Sequence, residues 1–236
     1  MKIAFFTEGG YSGKIPRNHP NIRTELAWMC TLEANHYNVH NESDKKYYEG
    51  LTSKKCKILP SLMIEDGIDS YVLTHENDRK NIIIGGNFCS WYGGFDSYIV
   101  AQEADCPIYI PSMGRKIKGE EEMPNLNHLP YMSWLEWIKE LNKFKYGIHL
   151  MRTHAAGTFA LNCAYLGIPC IGYEGLDTQE KCHPNLTVKL GDLVEAKKKI
   201  IELKNNKDWY KECSKIAKFN YKQYFHEDKF NPTGKK

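Results

Sequence analysis

The sequence lacks paired cysteines and long apolar runs, and these absences exclude several classes of protein. Its eight cysteines form no CxxC pair and follow no regular spacing, so we expect a reducing compartment and no disulfide framework. No segment approaches the roughly 20 apolar residues that a membrane-spanning helix needs. Because the first residues indicate a buried strand instead of a secretory signal, we predict a soluble, cytoplasmic protein without a transmembrane segment.

A strong net charge is missing as well. The 32 basic residues are nearly balanced by 29 acidic ones, which leaves a formal charge of +3. This balance gives no electrostatic footprint for nucleic acid, and we predict no nucleic-acid groove. The lysines between positions 197 and 207 alternate with acidic residues, a pattern typical of a solvated helix face.

Signatures of common cofactors are also missing. The glycine-rich stretch at residues 9–13 lacks the GxGxxG fingerprint and its downstream acidic residue, which disfavours a dinucleotide-dependent oxidoreductase. Cys182 and His183 are adjacent instead of spaced for one ion, and His149 and His154 flank the end of a strand. We therefore predict that the protein holds no metal and no cofactor.

What the sequence does contain is an alternation of apolar strands and helices, at intervals of about 20 residues, that predicts parallel sheets and right-handed crossovers. We interpret the fold class as α/β, with two Rossmann-like lobes. The first lobe, residues 1–78, holds about three strands and is either minimal or without its middle. The second lobe spans residues 79–205, and residues 206–236 form a terminal helix and a tail.

The most informative segment is residues 153–172. An apolar strand at residues 146–151 leads into a turn of small residues at 153–158, and a helix follows until Gly167 and Pro169 stop it. Small residues let a ligand approach the backbone, and the first turn of a helix offers free N–H groups beside a positive dipole end. The segment therefore predicts an anion site, most naturally for a phosphate or diphosphate.

The same segment carries a motif that matches a known signature without a gap. Thr153 and His154 fall on its Thr-His, Leu161 and Asn162 fall on its Leu-Glu, and the run at 167–169 falls on its Gly-Val-Pro. Thr158 matches its asparagine and Gln179 its final glutamine. The signature resembles that of the donor lobe in glycosyltransferases of the B fold, nearest to the UDP-sugar-dependent branch.

The resemblance implies a nucleotide-sugar donor site. It assigns the diphosphate to His154, Gly157 and Thr158, the ribose to Asn162, and the sugar hydroxyls to Asp177 and Gln179. The sequence departs from the family at three positions: Asn162 replaces a glutamate, Phe159 replaces a serine, and Asp177 lies one position early. Alternatives remain open, because His154 fits a plain cap, Asn162 a buried amide with backbone partners, and Asp177 a polar loop.

Further candidates lie at the predicted carboxyl edge of the sheets. Arg115, Lys116 and Arg152 follow strands and would neutralise a leaving diphosphate, or else are solvated loop charges. Gly86, with its neighbour Gly85, would let a phosphate approach, or else makes a tight turn.

Two further pairs of residues are candidates. By the resemblance, Trp134 and Trp137, with Tyr131, would stack the base, or else they pack in the core. Glu8 and His19 are catalytic candidates for an acceptor base, chosen by position alone.

From these features we predict a metal-independent glycosyltransferase that moves a sugar from a nucleotide-sugar donor to the hydroxyl of an unknown acceptor. The alternative is a non-catalytic nucleotide-sugar-binding or partner-binding protein that retains only the donor lobe. The short first lobe motivates this alternative.

Overall fold

The computed structural model describes residues 3–5, 36–68, 76–88, 92–112, 119–153, 156–226 and 228. Within these residues the chain forms two parallel β-sheets with helices packed against them. The predicted α/β class is therefore confirmed.

The smaller sheet has the order β1-β2-β3, and all of its pairs are parallel. Its strands are Ile3–Phe5 (β1), His36–Val39 (β2) and Cys56–Ile58 (β3). Helix α1 (Glu42–Thr52) connects β2 to β3 and begins at Asn41, whose side chain accepts a hydrogen bond from the backbone N–H of Asp44. Ile22, Leu26, Met29 and Cys30 recur at helical spacing and predict a helix over residues 21–33, which lie outside the described residues.

The larger sheet has six parallel strands in the order β6-β5-β4-β7-β8-β9. Its strands are Lys80–Ile84 (β4), Ile108–Ile110 (β5), Leu126–His128 (β6), Phe144–His149 (β7), Cys170–Tyr173 (β8) and Thr187–Val188 (β9). The helices of this part are Gly94–Ala101 (α2), Trp134–Leu141 (α3), Thr158–Leu166 (α4), Asp177–Cys182 (α5), Leu193–Asn205 (α6) and Lys207–Tyr224 (α7).

The hydrophobic core lies in two layers, one on each face of the larger sheet. On one face, Ile82 and Ile84 pack with α2 and α6; on the other, Ile83 packs with α3, α4 and α7. Because successive strand residues point to opposite faces, one apolar run supplies both layers.

Buried Arg79 fixes the direction of two helices. Its guanidinium donates to the carbonyls of Asn142 and Leu166, which lie at the carboxyl ends of α3 and α4. A cation is favoured at a helix carboxyl end because of the helix dipole. The amino ends of α3 and α4 therefore point to the opposite edge of the sheet, where the strands end.

Most predicted elements overlap the observed ones, although β7 (Phe144–His149) begins and ends two residues before the predicted 146–151. The charged, proline-containing stretch at residues 118–127 indicates a surface loop in the sequence, whereas it contains a 3-10 turn at Glu120–Glu122 and the start of β6. The predicted loop after β8 holds helix α5, which the sequence analysis missed.

The chain between the two sheets packs on the larger lobe. Met63 and Ile68 lie in the core layer of α3 and α4, and the Tyr221 hydroxyl of α7 donates to the Glu65 carboxylate.

The predicted boundaries of the two lobes, at residues 78 and 205, stay predictions. Among the described residues, no helix combines the length and the apolar character that crossing a membrane requires.

Candidate functional site

The strand order places a crevice at the carboxyl ends of β4 and β7. Strand β5, which follows β4 in the chain, lies on one side of β4. Strand β7 lies on the other side of β4 and leads on to β8. Such a switch of direction opens a crevice in which open α/β sheets bind ligands. Gly86 follows β4, and Gly157 and Thr158 follow β7, so the structure brings these three predicted residues to the same edge.

Two helices begin at this crevice without a capping side chain, as far as the described residues show. Gly93 precedes α2 and Gly157 precedes α4, with φ angles of 62° and 66° in the left-handed region. A Cβ on Gly157 would lie 2.0 Å from Thr178 Oγ1, and one on Gly93 would lie 1.7 Å from the Leu150 carbonyl oxygen. Glycine is therefore required at both positions, and the first turn of α4 keeps backbone N–H groups for an anion.

A pocket of about 220 Å³ adjoins the start of α4. Loops after three neighbouring strands and the helices α3 and α4 form its wall, and it is lined by Gly85, Pro111, Ser112, Pro130, Tyr131, Met132, Trp137, Thr158, Phe159 and Asn162. Three of these ten residues are aromatic (Tyr131, Trp137 and Phe159), and Tyr131 is 78% exposed at its mouth. A flat aromatic ligand fits such a lining, because stacked rings attract one another beyond simple burial.

Asn162 lies in the wall of this pocket and is buried. In the amide orientation that satisfies both of its polar atoms, its nitrogen donates to the Thr158 carbonyl (3.1 Å) and its oxygen accepts from Trp137 Nε1 (3.2 Å). Both ends of the amide are thus used within the protein. Of the two interpretations of Asn162, the structure favours the buried amide with internal partners.

Phe159 fills the space beneath the turn that follows β4. A Cβ on Gly85 would lie 2.3 Å from Phe159 Cδ1, so only glycine fits there. The Phe159 ring also contacts Trp137, with ring centroids 6.4 Å apart. In the sequence Phe159 stands out only as a departure from the family pattern, yet it forms part of the pocket floor.

His149, at the end of β7, is a buried residue that the sequence analysis considered only as a metal ligand. Burial lowers the pKa of His149 to about 4, so its ring is neutral at physiological pH. Its Nε2 atom has no hydrogen-bond partner in the described part of the chain, and a Cβ on Gly86 would lie 2.9 Å from it. The Tyr92 carbonyl oxygen, 2.8 Å from the same Cβ position, and His149 together leave no room for a side chain at residue 86.

Arg152 is held by an ion pair at the same edge. Its Nε and Nη2 atoms donate to Asp96 Oδ2 at 2.9 and 2.7 Å, and the hydrogen bond to Asp96 raises the pKa of Arg152. The Tyr173 hydroxyl also donates to Asp96, and burial, followed by the Asp96 charge, raises the pKa of Tyr173 to about 12. Because Asp96 partly neutralises Arg152, a contact of Arg152 with a diphosphate stays a prediction.

The structure corrects the interpretation of Gln179. Helix α5 turns Gln179 inward, leaves it 1% exposed, and lets its Nε2 donate to the Cys170 carbonyl at 3.0 Å. The side chain fits against Gly172, where a Cβ would lie 2.5 Å from Gln179 Oε1. Gln179 therefore ties α5 to β8 and is not placed to reach a sugar. Asp177, at the start of α5, pairs with Lys181 at 3.0 Å.

Five predicted site residues lie outside the described residues, so their roles stay predictions: Glu8, His19, Arg115, Lys116 and His154. In the part of the chain that the structure describes, no three histidine, cysteine or acidic side chains gather in a way that could hold a metal ion.

The sequence matches no protein-family model and no curated protein. Solved glycosyltransferase structures, however, share its fold. Sucrose-phosphate synthase from Thermosynechococcus elongatus matches with a TM-score of 0.71 and 12% identity, over 96% of this chain and 64% of the synthase.

Two further structures give similar values. HepE from Anabaena, solved in complex with UDP-glucose, matches with a TM-score of 0.74 and 11% identity, over 98% of this chain and 70% of HepE. WaaG, a glycosyltransferase involved in lipopolysaccharide biosynthesis, matches with a TM-score of 0.72 and 10% identity, over 100% of this chain and 75% of WaaG. The chain thus spans 64–75% of the length of these three proteins. It has the glycosyltransferase-B fold, with two Rossmann-like lobes of which the first is short.

Proposed function

We propose that the protein is a glycosyltransferase that uses a nucleotide-sugar donor. The fold is that of glycosyltransferases, and one protein of this fold, HepE, was solved with UDP-glucose bound. The observation that carries the proposal is the position of Thr158, which is both the first residue of α4 and part of the aromatic pocket. A ligand with an aromatic base and a diphosphate would occupy the pocket and the helix start together.

In this proposal the start of α4 stabilises the leaving diphosphate. As the acceptor hydroxyl attacks the sugar carbon, the bond from that carbon to the diphosphate oxygen breaks and negative charge grows on the diphosphate. Fixed N–H groups and a helix dipole that face this charge lower the barrier, because they need no reorganisation during the reaction. A base accepts the proton of the acceptor hydroxyl, and Glu8 and His19 remain the candidates for that role.

One observation favours the second candidate function, a non-catalytic nucleotide-sugar-binding or partner-binding protein. Asn162 and Gln179, to which the resemblance assigns the ribose and the sugar, both use their amides inside the protein. Calorimetry with nucleoside diphosphates and their sugars tests binding, and release of nucleoside diphosphate from the sugar donor tests catalysis. Tight binding without any release across a panel of acceptors would support the non-catalytic candidate.

The Thr158→Glu variant tests the anion site directly. A carboxylate in the first turn of a helix stabilises it by about 0.3–1 kcal/mol, so the variant should fold at least as well as the unmodified protein. The same carboxylate should repel a bound diphosphate and weaken its affinity at least about tenfold. Thr158→Gln is the uncharged control, and the affinity for the nucleoside alone should change little in either variant. Equal diphosphate affinity in the two variants would place the anion elsewhere.

A further inference from the structure

The terminal helix α7 carries a row of lysines along one side. With about 100° of rotation per residue, the five lysines fall within an arc of about 80°. All are exposed, and the row runs for about 22 Å along the helix. Its members are Lys207, Lys211, Lys215, Lys218 and Lys222.

The lysine row differs from the neighbouring helix α6 in its ion pairs within the described residues. On the neighbouring helix α6, Lys197 pairs with Glu103 at 2.8 Å and Lys204 with Asp105 at 2.5 Å. In contrast, none of the five ammonium groups of the row pairs with a carboxylate of the described residues. The two acidic residues of α7 lie in its first two turns, so the half from Lys215 onward is purely basic.

The basic half of α7 also exposes an aromatic ring. Phe219 is 64% exposed and lies beside the lysine row, between Lys215 and Lys222 along the helix. The opposite side of α7 is buried against the protein through Tyr210, Cys213, Ala217 and Tyr221. This packing keeps the lysine row and Phe219 on the outside of the folded chain.

We propose that the lysine row binds the surface of an anionic lipid bilayer, a role beyond sugar transfer. A flat, negatively charged surface contacts a straight row of five lysines at once, and each lysine near such a surface contributes about 1 kcal/mol, or roughly fivefold in affinity. The exposed Phe219 ring enters the headgroup region as aromatic residues of interfacial helices do. A nucleic acid is a poorer match, because the 32 basic and 29 acidic residues of the sequence leave a formal charge of only +3.

Vesicle co-sedimentation tests this proposal. The full-length protein should bind phosphatidylcholine vesicles that contain about one third phosphatidylserine, should not bind pure phosphatidylcholine, and should dissociate in high salt. The test variant is Lys211→Gln, Lys215→Gln and Lys222→Gln, which spares Lys218 because its stem lies against Gly167. Its vesicle affinity should fall at least about tenfold. Phe219→Ser should weaken binding to the same vesicles a few-fold.

The matched control removes the same charge from α6 through Lys197→Gln, Lys198→Gln and Lys199→Gln, and it should bind the anionic vesicles within about twofold of the unmodified protein. Circular dichroism verifies that both variants fold. Four results would overturn the proposal: no binding to anionic vesicles, equal binding to neutral vesicles, equal loss in the control variant, or single-stranded RNA that binds more tightly and displaces the vesicles.

Discussion

The hydrogen bond between Asn162 and Trp137 gives the sharpest test of the pocket. Asn162→Leu keeps the approximate size of the buried side chain but leaves the Trp137 indole N–H without its acceptor. A lost hydrogen bond costs about 0.5–1.5 kcal/mol, and a fully buried unpaired donor costs about 1–3 kcal/mol. Because Trp137 is only partly buried, water can reach it, and we expect a loss of about 1–1.5 kcal/mol in the free energy of unfolding.

A double-mutant cycle separates this bond from general packing effects. Trp137→Phe keeps an aromatic ring against Phe159 but removes the indole donor. If the bond exists, the loss in the double variant should be smaller than the sum of the two single losses by about 1 kcal/mol. Urea unfolding followed by circular dichroism measures all four proteins. A coupling energy below about 0.3 kcal/mol, the usual error of additivity, would refute the hydrogen bond.

Three further predictions follow from the same geometry. Because Asn162 has no free polar atom for a ribose, UDP and 2′-deoxy-UDP should bind within a few-fold of one another in calorimetry; a preference above about tenfold would contradict this. Gly157→Ala should lower the free energy of unfolding, measured in urea, by at least about 3 kcal/mol. Gly191→Ala should lower it by only about 1–2 kcal/mol, because Gly191 also has a positive φ, of 84°, but an added Cβ there has nothing within 4 Å. Burial lowers the pKa values of His149 and His183 to about 4. As the pH falls, these two histidines are therefore protonated in the unfolded chain before they are protonated in the folded one. Stability should therefore be full above about pH 6.5 and fall toward pH 4, with a loss near 1.4 kcal/mol for each histidine at pH 5.5; equal unfolding midpoints in urea at pH 7.5 and 5.5 would contradict the neutral rings.

Much of the fold could be predicted because its signals are local. Apolar runs mark the strands, and Asp192, a residue type that favours helix caps, caps α6 with its side chain accepting from the Glu195 N–H at 2.9 Å. The turn before α4 could be predicted for the same reason, because small residues follow a strand directly. Helix α5 was missed because its 6 residues are too few to show a helical period and its first residue has no side-chain cap.

The contacts of the site residues could not be predicted, because they join distant parts of the chain. Asp96 and Arg152 are 56 positions apart, and Asn162 and Trp137 belong to different helices. A single sequence shows which residues are polar but not which polar groups satisfy one another after folding. The resemblance puts the donor site at the edge of the sheet where α4 begins, which stays a prediction, and its assignment of Gln179 conflicts with the structure, where the partner of Gln179 is a backbone carbonyl of β8.

The first turns of α4 organise the whole candidate site. Thr158 begins the helix at the anion end, Phe159 fills the floor beneath Gly85, and Asn162 fixes the indole of Trp137. Because α4 buries Phe159 and Asn162, these two side chains are held in place before any ligand arrives, whereas Thr158 is exposed. Ordering the site then costs little on binding, since the rotamers are already fixed. Substitutions in α4 should therefore change ligand affinity mainly by moving Trp137 or the helix start, and a substitution that leaves both in place should leave the affinity unchanged.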